Sequence, residues 1–176
     1  MQSMKNNQGY TLIELIVAVG LFTIVMTLTS GVYLLMISLN QKAQGIATGI
    51  DNLNFALETM TRNIRTGTKY SCDPDPYTII DCPGPDGGTS FTFNSTVSNA
   101  SITYTIGNGA ITANGVPLTD PSVNIETLKF YLNGSTVGDA VQPNVTITVS
   151  GTVQTGHEQS QTFYVETGAT MRGTDI

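Results

Sequence analysis

Charge is scarce in this chain: only 11% of its 176 residues are charged, and 7 Lys and Arg stand against 13 Asp and Glu. An acidic, Lys-poor surface repels phosphate backbones, so the summed charge gives no support to nucleic-acid binding, although it leaves room for a local basic patch. Histidine is nearly absent. The only one, His157, lies far from both cysteines beside a Glu, so no four-ligand zinc set forms in the sequence and no Cys–His pair is available for nucleophilic attack. No glycine-rich phosphate loop opens a helix, and no cofactor is implied. Repeats with a period of 20–50 residues are also missing, which excludes a solenoid. Proline does not occur before Pro74, so nothing interrupts a helix in the first third of the chain.

What is present is unevenly spread. From Leu15 to Leu39 almost every residue is apolar or small, whereas the remainder is rich in Thr, Asn, Ser and Gly. At 1.5 Å per residue this run of about 25 residues exceeds a ~30 Å hydrocarbon core. A general secretory signal would be cut behind its apolar stretch, after small residues. Here the segment ahead of it, Met1–Gly9, is polar with a single Lys5, and the span reads as retained. Glu14 is the anomaly, because a carboxylate carried to the membrane centre costs up to ~2.5–3.5 kcal/mol. A plain reading puts Glu14 among the headgroups, reaching water.

The string Gly9-Tyr10-Thr11-Leu12-Ile13-Glu14, followed by the apolar helix, resembles the N-terminal processing signal of type IV prepilins and type II secretion pseudopilins. The resemblance implies that a membrane-embedded prepilin peptidase cuts after Gly9, and that Tyr10 becomes the new, N-methylated terminus. It also implies that Glu14 registers the incoming subunit against its neighbour. The chemistry suits the spacing: cleavage creates an α-amine with a reference pKa of about 8, positively charged at neutral pH, and a methylated amine can stay charged. Major pilins often carry a proline where Gly31 stands, so this helix is expected to have a soft spot and no enforced kink.

Beyond the span, Ile46, Ile50, Leu53, Leu57, Met60 and Ile64 recur at alternating spacings of four and three, which predicts one apolar stripe on a continuing helix ending near Thr66-Gly67. Gly45 and Gly49 and the shortness of the repeat argue against a coiled coil. Residues 70–90 read as a loop dense in Asp, Pro and Gly. Cys72 and Cys82 sit in it, in the part of the chain that follows the span outward, and a disulfide between them is expected. Asp73, Asp75, Asp81 and Asp86 invite a calcium reading, but their spacing matches no EF-hand and the alternative is a solvated, stapled loop.

Period-two alternation in Phe91–Phe93, Ile102–Ile106, Val123–Leu132, Val145–Val149 and Thr162–Thr170 predicts strands, with Gly107-Asn108-Gly109 turning into Ala110–Asn114. The expected fold is α+β and pilin-like: leader 1–9, transmembrane half-helix 10–39, amphipathic half-helix 40–67, and a head domain 68–176 built as an antiparallel meander. The order of Ile102–Ile106, Pro117-Leu118, the "LKFYLNG" strand, Asn144–Val153 and the closing "TGATMRG" resembles J-type minor pseudopilins and their pilus counterparts.

That resemblance implies a structural, minor subunit of a type IV pilus, type II secretion pseudopilus or competence pilus. Its expected partners are other pilin or pseudopilin subunits, the prepilin peptidase, the inner-membrane assembly platform and, before assembly, membrane lipid. It is expected in the inner membrane as a single-pass protein with its head outside the cytoplasm, and then in the filament. The rival reading is a membrane-anchored binding module or tip adhesin whose loop 70–90 takes a ligand or calcium. A third is a single-span anchored protein with its leader uncut.

Overall fold

The computed structural model describes residues 9–73, 79–136, 141–155 and 160–172. The chain forms two compact units, Met1–Gln41 and Lys42–Ile176. The leader residues 1–8, Asp75 and His157 lie outside the described residues. One helix, α1 (Leu12–Arg65), supplies the described helical residues of the first unit and the opening element of the second. Gly31 is helical, in keeping with a sequence that offers no proline there.

In the second unit, α1 buries Gly49, Leu53, Ala56, Leu57, Met60 and Ile64. This corrects the expected stripe in its first turn. Ile50 is 41% exposed, and Gly49 takes the inward place. The reason is a close approach: a Cβ on Gly49 would overlap the Val153 side chain, and one on Gly45 would lie 3.1 Å from the Gln154 carbonyl oxygen. Two glycines one helical turn apart let the helix backbone settle on a strand end where larger side chains would hold it off.

The strands form two antiparallel sheets, not the single meander expected. The first runs in chain order: β1 (Gly67–Ser71), β2 (Phe91–Ser95), β3 (Ser101–Gly107), β4 (Ala110–Ala113) and β5 (Val116–Pro117). The second is β6 (Val123–Asn133), β7 (Asn144–Gln154) and β8 (Ser160–Thr170). The break falls between Pro117 and Pro121. There the Thr119 hydroxyl accepts the Ile111 N–H at 3.1 Å, and Asp120 makes a local turn by accepting the Ser122 N–H at 2.9 Å. Two prolines without donors and two side chains that capture backbone amides end one ladder before the next begins.

Hairpins β3–β4 and β4–β5 each use an Asn-Gly pair with both residues at positive φ: Asn108 (51°) with Gly109 (74°), and Asn114 (50°) with Gly115 (82°). These are the dihedral signs of a type I′ turn, whose twist matches that of the strands it joins. In β6 the inward residues shift phase from Val123 and Ile125 to Leu128, Phe130 and Leu132, and the ladder slips between Ile125 and Thr127 at the same place. A bulge there keeps both apolar sets on the core face.

β1 was not expected from the sequence, where its residues read as helix end and loop. It forms because Tyr70 anchors it: the buried phenol shares its proton between the carbonyls of Ile64 (2.7 Å) and Gly67 (2.6 Å), joining helix end to strand. The core brings α1 against both sheets around Tyr70, Phe91, Phe93, Tyr104 and Phe130, with Phe91 and Phe130 ring centroids 5.3 Å apart.

Candidate functional site, the N-terminal segment and the head loops

Local chemistry fixes where α1 begins. Thr11 lies just ahead of the first helical residue, and its Oγ1 accepts the Glu14 N–H at 3.3 Å, while the Leu15 N–H bonds the Thr11 carbonyl at 3.2 Å. Thr-x-x-Glu is the sequence of a capping box, so Thr11 occupies the cap and Glu14 the third helical position. A carboxylate in the first turn also sits favourably at the positive end of the helix dipole. Glu14 therefore serves helix initiation whatever else it does, a role that the spacing of Thr11 and Glu14 already carried and that the reading of Glu14 as a pairing residue overlooked.

Tyr10, Leu12 and Ile13 are 86%, 78% and 71% exposed. From there to Gln41 every residue is exposed, and α1 holds a segment long and apolar enough to cross a membrane. The threonine and serine hydroxyls within the span are satisfied internally. Thr23 bonds the Gly20 carbonyl, Thr27 that of Thr23, Thr29 that of Val25 and Ser30 that of Met26, at 2.6–2.8 Å. In hydrocarbon no water could take these donors, so back-bonding makes such residues tolerable in the span.

In the head, Cys72 and Cys82 are disulfide-bonded with Cα atoms 6.1 Å apart. Cys82 and Gly88 bond the outer edge of β6. The Cys82 N–H bonds the Leu132 carbonyl at 3.2 Å, and Gly88 and Phe130 exchange backbone bonds of 2.7 and 2.9 Å. The expected loop 70–90 is shorter than read, since Tyr70 and Ser71 belong to β1, and Cys82 and Gly88 tie its later part to β6.

Of the four aspartates considered for calcium, the three that are described, Asp73, Asp81 and Asp86, do not share one role. Asp81 accepts the backbone N–H groups of Gly134 (3.1 Å) and Ser135 (3.0 Å), a use that ties the loop to the end of β6. Asp86 is exposed, and the Asp73 N–H donates to the Ser71 hydroxyl oxygen at 3.1 Å. Among the described residues no group of three His, Cys, Asp or Glu side chains is placed to hold a metal ion.

Among the described residues, the head surface carries grooves at two places. One, of about 470 Å³, is lined by small and polar residues around the Asn108-Gly109 turn, including Thr105, Thr112, Thr119 and Asn124. The other, of about 380 Å³, lies at the end of α1 and is lined by Glu58, Thr61, Arg62, Arg65, Thr66 and Arg172. Nothing local in the sequence marks the second groove, because Arg172 reaches it only through the fold.

No curated protein and no solved structure matches the chain. Residues 4–30 match the family model described as the prokaryotic N-terminal methylation motif. That segment contains Gly9, Tyr10 and Glu14 and extends into the apolar helix. It supports a pilin-type subunit processed by prepilin peptidase, points to a structural protein, and fits anchoring in the inner membrane. The chain carries a type IV pilin-like prepilin signal ahead of a long apolar helix and an antiparallel β head.

Proposed function

We propose that this protein is a structural, minor subunit of a type IV pilus, type II secretion pseudopilus or competence pilus. In this reading Gly9 is the residue after which the leader is cut, Tyr10 is the new methylated terminus, and Glu14 pairs with the terminal amine of a neighbouring subunit. The head faces away from the cytoplasm, where a Cys72–Cys82 disulfide is chemically at home. The observation that carries the reading is the methylation motif at residues 4–30, with a single carboxylate, Glu14, at the start of an otherwise uncharged span. The minor place rests on the resemblance, in sequence, of the order Ile102–Ile106, Pro117-Leu118, the "LKFYLNG" segment and Asn144–Val153 to J-type minor pseudopilins.

Intact mass of the protein from cells containing a prepilin peptidase tests it. The mature chain should lack Met1–Gly9 and carry one added methyl on Tyr10. A mature protein still beginning at Met1 sinks the assignment.

A further inference from the structure

Among the described residues each sheet of the head has two edge strands, and β1, β5 and β6 carry features that oppose further pairing. In the first sheet, β5 is two residues long and ends in Pro117, which has no N–H to offer. At the other edge β1 has five residues, a slip in its ladder between Thr68 and Ser71, and Lys69 at a positive φ of 55°. In the second sheet, β6 is bonded on its outer side by Cys82, Gly88 and the Gly109 carbonyl, which accepts the Ile125 N–H at 2.7 Å. Short strands, proline, irregular backbone, Lys and covering loops are devices by which sheets avoid pairing with other chains.

The remaining edge, β8, has none of them. It runs for 11 residues, Ser160–Thr170, in unbroken register with β7, without proline and with Glu166 as its single charge. Among the described residues no backbone group of β8 bonds anything but β7. An antiparallel strand turns the N–H and C=O of every second residue away from its partner, so about five donors and five acceptors line the free edge. The adjoining stretches 156–159 and 173–176 are too short to span it. Four residues reach about 14 Å at most, against about 36 Å for the strand.

The core face is left half covered at this edge. Phe163 and Val165 pack against the core yet stay partly exposed, while their neighbours in β7, Gly151 and Val149, are buried. On the opposite face Tyr164 is 68% exposed, and Glu166 stands beside Thr148. An added strand with apolar residues at alternate positions would cover Phe163 and Val165, and a Lys or Arg on its other face would suit Glu166.

We propose that the free edge of β8 receives an extended segment of a different pilin-type subunit, added to the second sheet as a fourth strand. Main-chain bonds give such an addition its affinity, and side-chain alternation sets its register. The proposal rests on the reading of this chain as a minor filament subunit, whose neighbours are other subunits, and names the surface that one of them occupies.

The test uses the full chain, tagged, in filament-producing cells, with a photo-crosslinking phenylalanine derivative in place of Tyr164. Irradiation should join it to a different protein carrying the N-terminal methylation motif, through a peptide of alternating apolar and polar residues. Thr167→Lys puts an ammonium on the core face, opposite Ile147, where it reaches water past the open edge but is trapped under an added strand. It should lower the crosslink about tenfold or more, as inward charges do at sheet edges. Thr162→Lys, on the solvent face, should leave it within about twofold. Retention of the Cys72–Cys82 bond checks that both variants fold. In the unaltered chain, alternate amides of β8 should exchange about tenfold or more slowly in filaments than in detergent. A crosslink to a second copy, to lipid alone or to nothing, equal effects of the two variants, or the same β8 exchange in both states overturns the proposal while the filament reading stands. If the unaltered chain never enters filaments, that reading fails and this one with it.

Discussion

The Val153 side chain at the end of β7 occupies the space in which Gly49 of α1 would carry a Cβ. This contact is where the helix comes down on the second sheet, and it makes Gly49 a residue the core requires despite its poor helix propensity. Gly49→Ala should gain about 1 kcal/mol of helix propensity. Against that, an extra methyl in a filled space costs about 1–3 kcal/mol. The balance is a net loss of up to about 2 kcal/mol. Denaturant midpoints of the detergent-solubilised chain would show it. Combining the change with Val153→Ala should recover part of the loss, because residues in contact couple. A simple sum of the two single effects would mean the contact is absent.

Tyr70 supplies the second prediction. Removing its hydroxyl with Tyr70→Phe leaves the Ile64 and Gly67 carbonyls without their buried donor, a loss of about 1–3 kcal/mol. Burial pushes the phenols of Tyr70 and Tyr104 above their usual range, with the Asn63 bond to Tyr104 acting in the opposite sense. Each therefore keeps its proton in the folded state at a pH where the unfolded chain, near pKa 10, has released it. The stabilisation is fully present below about pH 10 and is lost as pH rises beyond it. Unfolding midpoints should fall steeply in that range, and less steeply in Tyr70→Phe. Equal slopes for the two proteins would show that Tyr70 is not the group responsible.

The disulfide gives a third. Replacing Cys72 and Cys82 together by Ser should cost about 2–4 kcal/mol, the usual gain from closing a loop of this kind. Because the loop also bonds β6 through Cys82 and Gly88, faster amide exchange should appear at Gly88 and Phe130 before the rest of the sheet. Unchanged exchange there would separate the bond from the support of that edge.

How far these features could be read beforehand depended on how local their causes are. The cap at Thr11, the strands and the Asn108-Gly109 turn follow from neighbouring residues, and the same logic would have found Asn114-Gly115. The register of the buried stripe did not follow from periodicity alone. A four-and-three spacing chose Ile50, since nothing in a single helix marks Gly49 as the point of closest approach to Val153. β1 was hidden because Gly67, Thr68 and Lys69 carry little strand signal, and its reason for forming is the reach of Tyr70 back to the helix end. The meeting of Arg172 with Arg65 was beyond reach, as it depends on where two sheets bring the last strand.

Glu14 decides between a filament subunit and an anchored module. In a lone anchored protein its carboxylate has one structural duty near the first turn, while its N–H makes the bond to Thr11. Glu14→Gln keeps that N–H and keeps Gln at a position the capping box accepts, so the helix should still start at Leu12. A neutral Gln is also easier to place in a membrane than a carboxylate, so insertion should be intact. Gly9 and the span are untouched, and cleavage should proceed. In a filament the same change leaves the terminal amine of a neighbouring subunit without its partner, and a buried pair broken from one side loses about 3–5 kcal/mol. The expected outcome is normal insertion and normal mature mass, with a sharp drop of the variant in sheared surface fractions. Glu14→Asp, which keeps the charge on a shorter arm, should retain more incorporation than Gln. If Gln, Asp and the unaltered residue enter filaments equally, Glu14 has no pairing role and the anchored-module reading takes its place.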